Sequence, residues 1–150
     1  MGPALSAVPP PGKECTMAFF SSLQEAREYF RNDRFAAENG FTLDALTEDG
    51  AVCSVVLSER HQNAEGALMG GAILALADFT FAAASVNAHR HTVAQQASLS
   101  FLSSTRGSRL ISTAIRVKDG RSSCVYRVEI KDDLGRDVAQ ALFTGFKLQV

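Results

Sequence analysis

The sequence has no tryptophan, three histidines, three cysteines and only four prolines, all of them within the first eleven residues. Cys15, Cys53 and Cys124 lie far apart and form no C-x-x-C pair, which argues against a disulfide scaffold and a structural zinc site. They read as free thiols in a reducing compartment, with burial as a small apolar side chain. Charge of either sign is not in excess: 15 Lys and Arg face 16 Asp and Glu, a net −1. That balance gives no reason to expect binding to nucleic acid or to an anionic membrane surface. The chain contains no G-x-S-x-G, no P-loop, no G-x-G-x-x-G and no H-E-x-x-H. His89 and His91 stand two apart but have no third ligand nearby, so no metal and no cofactor are expected. Residues 1–16 lack the apolar run of a signal peptide. Met1-Gly2-Pro3-Ala4-Leu5-Ser6 matches the loose myristoylation pattern, with Pro3 beside the glycine as a poor fit. Residues 1–20 are expected to be a flexible tail on a cytoplasmic protein, and Met17 is an alternative start.

What the chain does contain is 150 residues with 46% hydrophobic and 21% charged composition, enough for one domain with a core at residues 21–150. Ser22-Leu23-Gln24-Glu25 reads as a capping box, and Leu23, Ala26, Tyr29 and Phe30 recur at helical spacing. This helix is expected to run to Glu38 and stop at Asn39-Gly40. Strands are expected over 41–46 and 51–57 with a turn at Asp49-Gly50, and a polar loop over 61–66. Residues 69–88 are mostly Ala, Leu, Ile and Phe, with Asp78 as the only charge. The length suits a membrane span, but a carboxylate at its centre would be costly there, so it reads as a helix buried inside the protein. Four strands follow, over 93–102, 109–118, 122–131 and 137–148, the last three as a meander. The predicted class is α+β: one antiparallel sheet wrapped around one long central helix.

Asp78 is the leading candidate for chemistry. A carboxyl in a buried helix needs partners, burial raises its pKa, and hydrogen-bond donors pull it back. Gly70-Gly71 opens the same helix, where first-turn amides lack partners and face the positive end of the helix dipole, a plausible oxyanion hole. Both features also have plain structural readings: a carboxyl bonded to backbone, and glycines that permit close packing. Gly70 and Asp78 are eight residues apart, about 12 Å along a helix. They cannot reach one carbonyl from the same chain, so joint action requires a two-fold dimer with two sites.

The run His61-Gln62-Asn63 to Met69-Gly70-Gly71 and on to Asp78 resembles the signature of hotdog-fold acyl-CoA thioesterases of the phenylacetate-pathway type. Weaker matches are Ser98 to Leu102, Lys118-Asp119-Gly120-Arg121 and Asp133 to Ala139, and the likeness covers roughly residues 25–148. The resemblance implies a hotdog fold, a homodimer joined edge to edge, and often a homotetramer as a dimer of dimers. It places Gly70 on the oxyanion glycine, Asp78 on the catalytic carboxylate, and Asn63 on an asparagine holding the substrate carbonyl or the attacking water. His61 and Gly71 fall in the same substrate-binding motif. Two departures stand out: Met69 replaces the usual histidine before the glycines, and Ala94 replaces a frequent Thr or Ser. Strict alternation puts Ala94, Gln96, Ser98 and Ser100 on one face, with Gln96 a candidate to orient a water.

The expected substrate is therefore an acyl-CoA, hydrolysed with Asp78 as general base or nucleophile. Arg106, Arg109, Lys118 and Arg121, near turns, are candidates for the coenzyme phosphates. Phe79, Phe81, Phe30 and Phe35 are candidates to border the acyl group. The alternatives are a non-catalytic acyl-CoA-binding hotdog module acting as sensor or partner, and a dehydratase on the same fold. The first usually carries an added DNA-binding segment, and no basic helix-turn-helix is visible; the second typically pairs a histidine with Asp or Glu, and the long helix here lacks a histidine.

Overall fold

The computed structural model describes residues 19–149. Cys15, the myristoylation-like start and most of the expected tail lie outside them. Its last two residues do not behave as a tail. Phe20 is 1% exposed and packs against the rings of Tyr29 and Phe30 at 5.3 and 5.9 Å. The folded domain therefore includes Phe19 and Phe20 rather than starting at residue 21.

Ser22 caps the first helix, α1 (Leu23–Phe30), accepting from the Glu25 amide at 3.1 Å. The Glu25 carboxylate completes the cap on the neighbouring Ser21 amide at 2.7 Å, one residue earlier than a capping box requires. The expected single helix is two. Asp33 accepts from the Ala36 amide at 3.0 Å and starts α2 (Arg34–Glu38). Its short carboxyl offers the backbone a cap in place of another helical turn. Gly40 then leaves α2 at φ 75°, as the Asn39-Gly40 signal implies.

Six strands follow in one antiparallel sheet of order β1-β2-β4-β5-β6-β3: β1 (Thr42–Thr47), β2 (Gly50–Val56), β3 (Thr92–Phe101), β4 (Arg109–Asp119), β5 (Ser123–Asp132) and β6 (Asp137–Lys147). The meander β4-β5-β6 is present as predicted. The first hairpin turns on Glu48 and Asp49, not on Asp49-Gly50, because Gly50 already pairs with Thr47 and Ile115. The central helix α3 (Gly70–Ala88) lies across the inner face of the sheet. Ile73, Leu76, Ala77, Thr80, Phe81 and Ala84 are buried there. Thr80 satisfies its hydroxyl on the Leu76 carbonyl and on the Ser112 hydroxyl, both at 2.7 Å. The apolar length that fits a membrane span is thus used against the sheet.

One buried carboxylate fixes the rim of the sheet nearest the start of α3. Asp132, 2% exposed, accepts from the amides of Arg106, Gly107, Leu134 and Arg136 at 3.0, 3.2, 3.0 and 2.9 Å. The Arg106 amide and the other three donors hold its pKa down to about 2, against the upward push of burial. A carboxyl depressed in the folded state stabilises above its ordinary titration range, and that contribution is lost as pH falls toward its folded value. Asp132→Ala is expected to lower the melting temperature at pH 7 by roughly 5 °C or more. The gap should narrow between about pH 4 and pH 2, and scanning calorimetry across that range checks it.

Candidate active site

The start of α3 is unusually open. Met69 is its N-cap and, being apolar, contributes no side-chain acceptor. The Met69 carbonyl takes the amides of Ala72 and Ile73 at 3.0 and 3.4 Å. Among the described residues, the amides of Gly70 and Gly71 have no acceptor. Two N–H donors therefore stand free at the positive end of a nineteen-residue helix. That arrangement suits a developing oxyanion.

The preceding loop holds them in place. His61 is 4% exposed, and its Nδ1 accepts from the Ser58 amide at 3.0 Å while Nε2 donates to the Asn39 carbonyl at 2.8 Å. These bonds define the neutral Nε2–H tautomer. Both ring nitrogens are engaged within the protein, so the imidazole anchors the loop, and its own carbonyl fixes the Met69 amide at 2.8 Å. Asn63 Oδ1 accepts from the amides of Glu65 and Ala67 at 3.0 and 3.1 Å. Its Nδ2 is left as the donor available to a substrate carbonyl or water.

Asp78 departs from expectation in its burial. It is exposed in the single protomer, and no donor among the described residues holds it. The helix explains this. Ile73, Leu76, Ala77 and Thr80 face the sheet, whereas Gly71, Leu74 and Asp78 follow one another at spacings of three and four on another stripe. That stripe forms one wall of a cleft of about 360 Å³, and residues 94–97 of β3 form the other. Partial burial in the cleft raises the Asp78 pKa above the ordinary carboxylate range, and the charge of Asp33 adds a smaller push.

The strand opposite is not regular. A bulge at Gln95 shifts the pairing, so that Ala94 faces Gly145 while Gln96 faces Thr144. Phase reverses at that point. Ala94, Ala97, Leu99 and Phe101 share the helix side, and Gln96, Ser98 and Ser100 share the outer side with Thr144 and Leu142. The single face expected from strict alternation is thus corrected. Gln95 and Gln96 nonetheless both line the Asp78 cleft, at the free edge of the sheet. Every β3 residue from Val93 to Ser98 is exposed.

A larger cavity, about 910 Å³, opens on the other side of the helix start. Gly70, His61 and Ile73 line it with Phe101 to Thr105 and Ser108. Phe101 carried no individual role in the sequence reading. Its inward aim follows from the bulge, which leaves no one-dimensional signal. Arg106 is exposed beside this cavity. Lys118 and Arg121 are exposed at the opposite end of β4, roughly 30 Å away along the strand. One protomer therefore does not gather all three around one phosphate group. Of the aromatic candidates, Phe81 belongs to the core, stacked on Phe143 at 5.0 Å. Phe30 and Phe79 line a separate depression of about 490 Å³ beneath α1, and Phe35 is exposed. Among the described residues no cluster of His, Cys, Asp or Glu is suited to a metal ion.

Comparison with known proteins gives this geometry its class. The structure of the PaaI protein from the phenylacetic acid degradation operon of E. coli superposes with a TM-score of 0.79 at 25% identity, over 84% of this chain and 92% of that one. A mutant of the phenylacetic acid degradation protein PaaI from Thermus thermophilus gives 0.72 at 30% identity, over 77% of this chain and 100% of that one. A hypothetical thioesterase protein from Streptococcus pneumoniae, solved with coenzyme A, shares the fold at 0.72 and 23% identity, over 78% and 94% of the two chains. The fold is therefore the hotdog fold that the sequence resemblance implied. A family model for the thioesterase superfamily matches residues 65–139, half of the chain and the whole stretch from the glycine pair through β5. The protein belongs to that superfamily and is a hydrolase of the thioesterase type.

Proposed function

We propose that the protein hydrolyses acyl-CoA thioesters to free acid and coenzyme A, at a site completed between two copies of the chain. The observation that carries this reading is Asp78: the one charge on α3, exposed and unpartnered in a cleft beside a free strand edge. A ten-residue edge strand with open backbone groups is a template for pairing. Pairing β3 with a second β3 would close the Asp78 cleft and bring the partner's helix start toward it. The Gly70 amide of one protomer and Asp78 of the other would then share one thioester, which the 12 Å separation within a chain forbids.

In the reaction, Asp78 takes a proton from water as the water oxygen bonds to the thioester carbon. The Gly70 amide donates to the carbonyl oxygen as it gains charge, and Asn63 Nδ2 steadies the carbonyl or the water. The C–S bond then breaks, and the coenzyme A sulfur recovers the proton from Asp78. Direct attack by Asp78, giving an anhydride that water opens, is the second route. The coenzyme A bound to the S. pneumoniae neighbour supports the choice of thiol. A homotetramer would arise from the outer sheet face, where exposed Val93, Leu142 and Phe146 offer apolar area for a second dimer.

Thiol release from a panel of acyl-CoAs, run beside an enoyl-CoA hydration assay, tests the reading. Thiol release without hydration supports it. Saturable binding of acyl-CoA without release would instead identify a binding module, the reading favoured by Met69 in place of the histidine of the resembled signature and by Ala94 in place of its Thr or Ser.

A further inference from the structure

We propose that Phe101 determines the acyl specificity of this site, restricting it to uncharged, apolar acyl groups by walling the Gly70 amide. The inference rests on the hydrolase reading above. A Cβ placed on Gly70 would lie 3.0 Å from Phe101 Cζ and 3.2 Å from Cε1, so the ring stands against the Cα that carries the free amide. The ring is not core: Phe101 is 61% exposed and projects into the 910 Å³ cavity. The second free amide has a similar neighbour. Met69, 53% exposed, lays its Cε 3.3 Å from the Cβ position of Gly71. Both donors to the carbonyl thus have an apolar side chain at their side.

The charge lining the cavity points the same way. No Lys or Arg is among its lining residues, and its one charged side chain is Glu59. An acyl group bearing its own carboxylate would meet an aromatic ring and a like charge, and the lining would offer it neutral Ser and Thr hydroxyls but no cation, since Arg106 lies beside the cavity and not in its wall. An acyl group with only carbon near the thioester would bury area on Phe101 at no such cost. The backbone amides bind the carbonyl of either substrate, so the discrimination falls to the ring and not to the oxyanion donors.

Butyryl-CoA and succinyl-CoA have four-carbon acyl groups and differ in the terminal carboxylate, so they form the test pair. Wild type is expected to favour butyryl-CoA by about a hundredfold in kcat/KM. Phe101→Ala should reduce that ratio roughly tenfold, and Phe101→Leu, which keeps an apolar wall, should largely preserve it. Phe101→Arg should raise turnover of succinyl-CoA roughly tenfold above wild type by supplying the missing cation. Gel filtration of each variant establishes that assembly is retained. Equal wild-type rates on the two thioesters would overturn the inference while leaving hydrolysis in place. So would an unchanged ratio in both Phe101→Ala and Phe101→Arg. Turnover that survives loss of Asp78 would overturn the hydrolase reading and this inference with it.

Discussion

Asp78→Asn is expected to lower kcat for thiol release by at least about a hundredfold, with little change in KM, because asparagine neither accepts the water proton nor attacks the thioester. Stability should move the other way. The Asp78 carboxyl is raised above its ordinary pKa by partial burial and, secondarily, by Asp33. A carboxyl raised in the folded state destabilises the fold once pH exceeds its unfolded value, because folding then holds a charge it disfavours. The neutral asparagine removes that burden, so the variant should melt at the same or a higher temperature at pH 7. The same shift sets the acid limb of the wild-type profile: kcat/KM should fall as pH drops through a value above the usual carboxylate range. Steady-state kinetics across pH and thermal melts of both proteins measure these effects. A wild-type rate in Asp78→Asn, or a lower melting temperature with lost rate, would point to a structural carboxylate. A single turnover in oxygen-labelled water separates the two chemical routes, since label entering Asp78 marks the nucleophilic one.

The second large effect concerns folding. Gly50→Ala is expected to destabilise the protein by about 3 kcal/mol or more, read as a lower urea midpoint with little change in slope. A Cβ at Gly50 would lie 2.0 Å from the Ala114 carbonyl oxygen. That oxygen belongs to the backbone of β4, in the middle of the sheet, and cannot rotate away as a side chain would. Either β2 and β4 separate and forfeit ladder bonds, or the sheet closes with a severe overlap. Glycines without such a neighbour, for example Gly40 with open space around its Cβ position, should not respond through a clash.

Gly50 also illustrates what the sequence made legible and what it did not. Asp49-Gly50 signals a hairpin, and a hairpin is there, but the glycine serves an interstrand contact one residue beyond the turn. The contact depends on β4, some sixty residues away, and no local pattern encodes it. Element type was readable from length and all-round apolarity in α3, and from the turn signals between strands in the meander. It failed at Asp33, whose carboxyl caps a second helix and ends the continuity suggested by Leu23, Ala26 and Phe30. In β3 the strand itself was plain, yet the extra residue at Gln95 reversed the phase and put Gln96 on the opposite face from Ala94, with which strict alternation had grouped it. Gly70 and Asp78 stood out as candidates by residue type and place on the helix, and Asn63 through the family resemblance. The exposure of Asp78 was not legible, because it depends on which stripe of an all-apolar helix meets the sheet, and such a helix has no polar face to announce it.

The uncovered rim of β3 carries a consequence for the protein in dilute solution. If chemistry awaits a second molecule along that rim, output per milligram is no constant of the chain but follows mass action, collapsing once dilution outruns the affinity of the pair. Mixed populations would obey the same arithmetic. A molecule damaged only at its glycine pair and another damaged only at its carboxylate would each be silent alone, yet would regain one working centre when they meet.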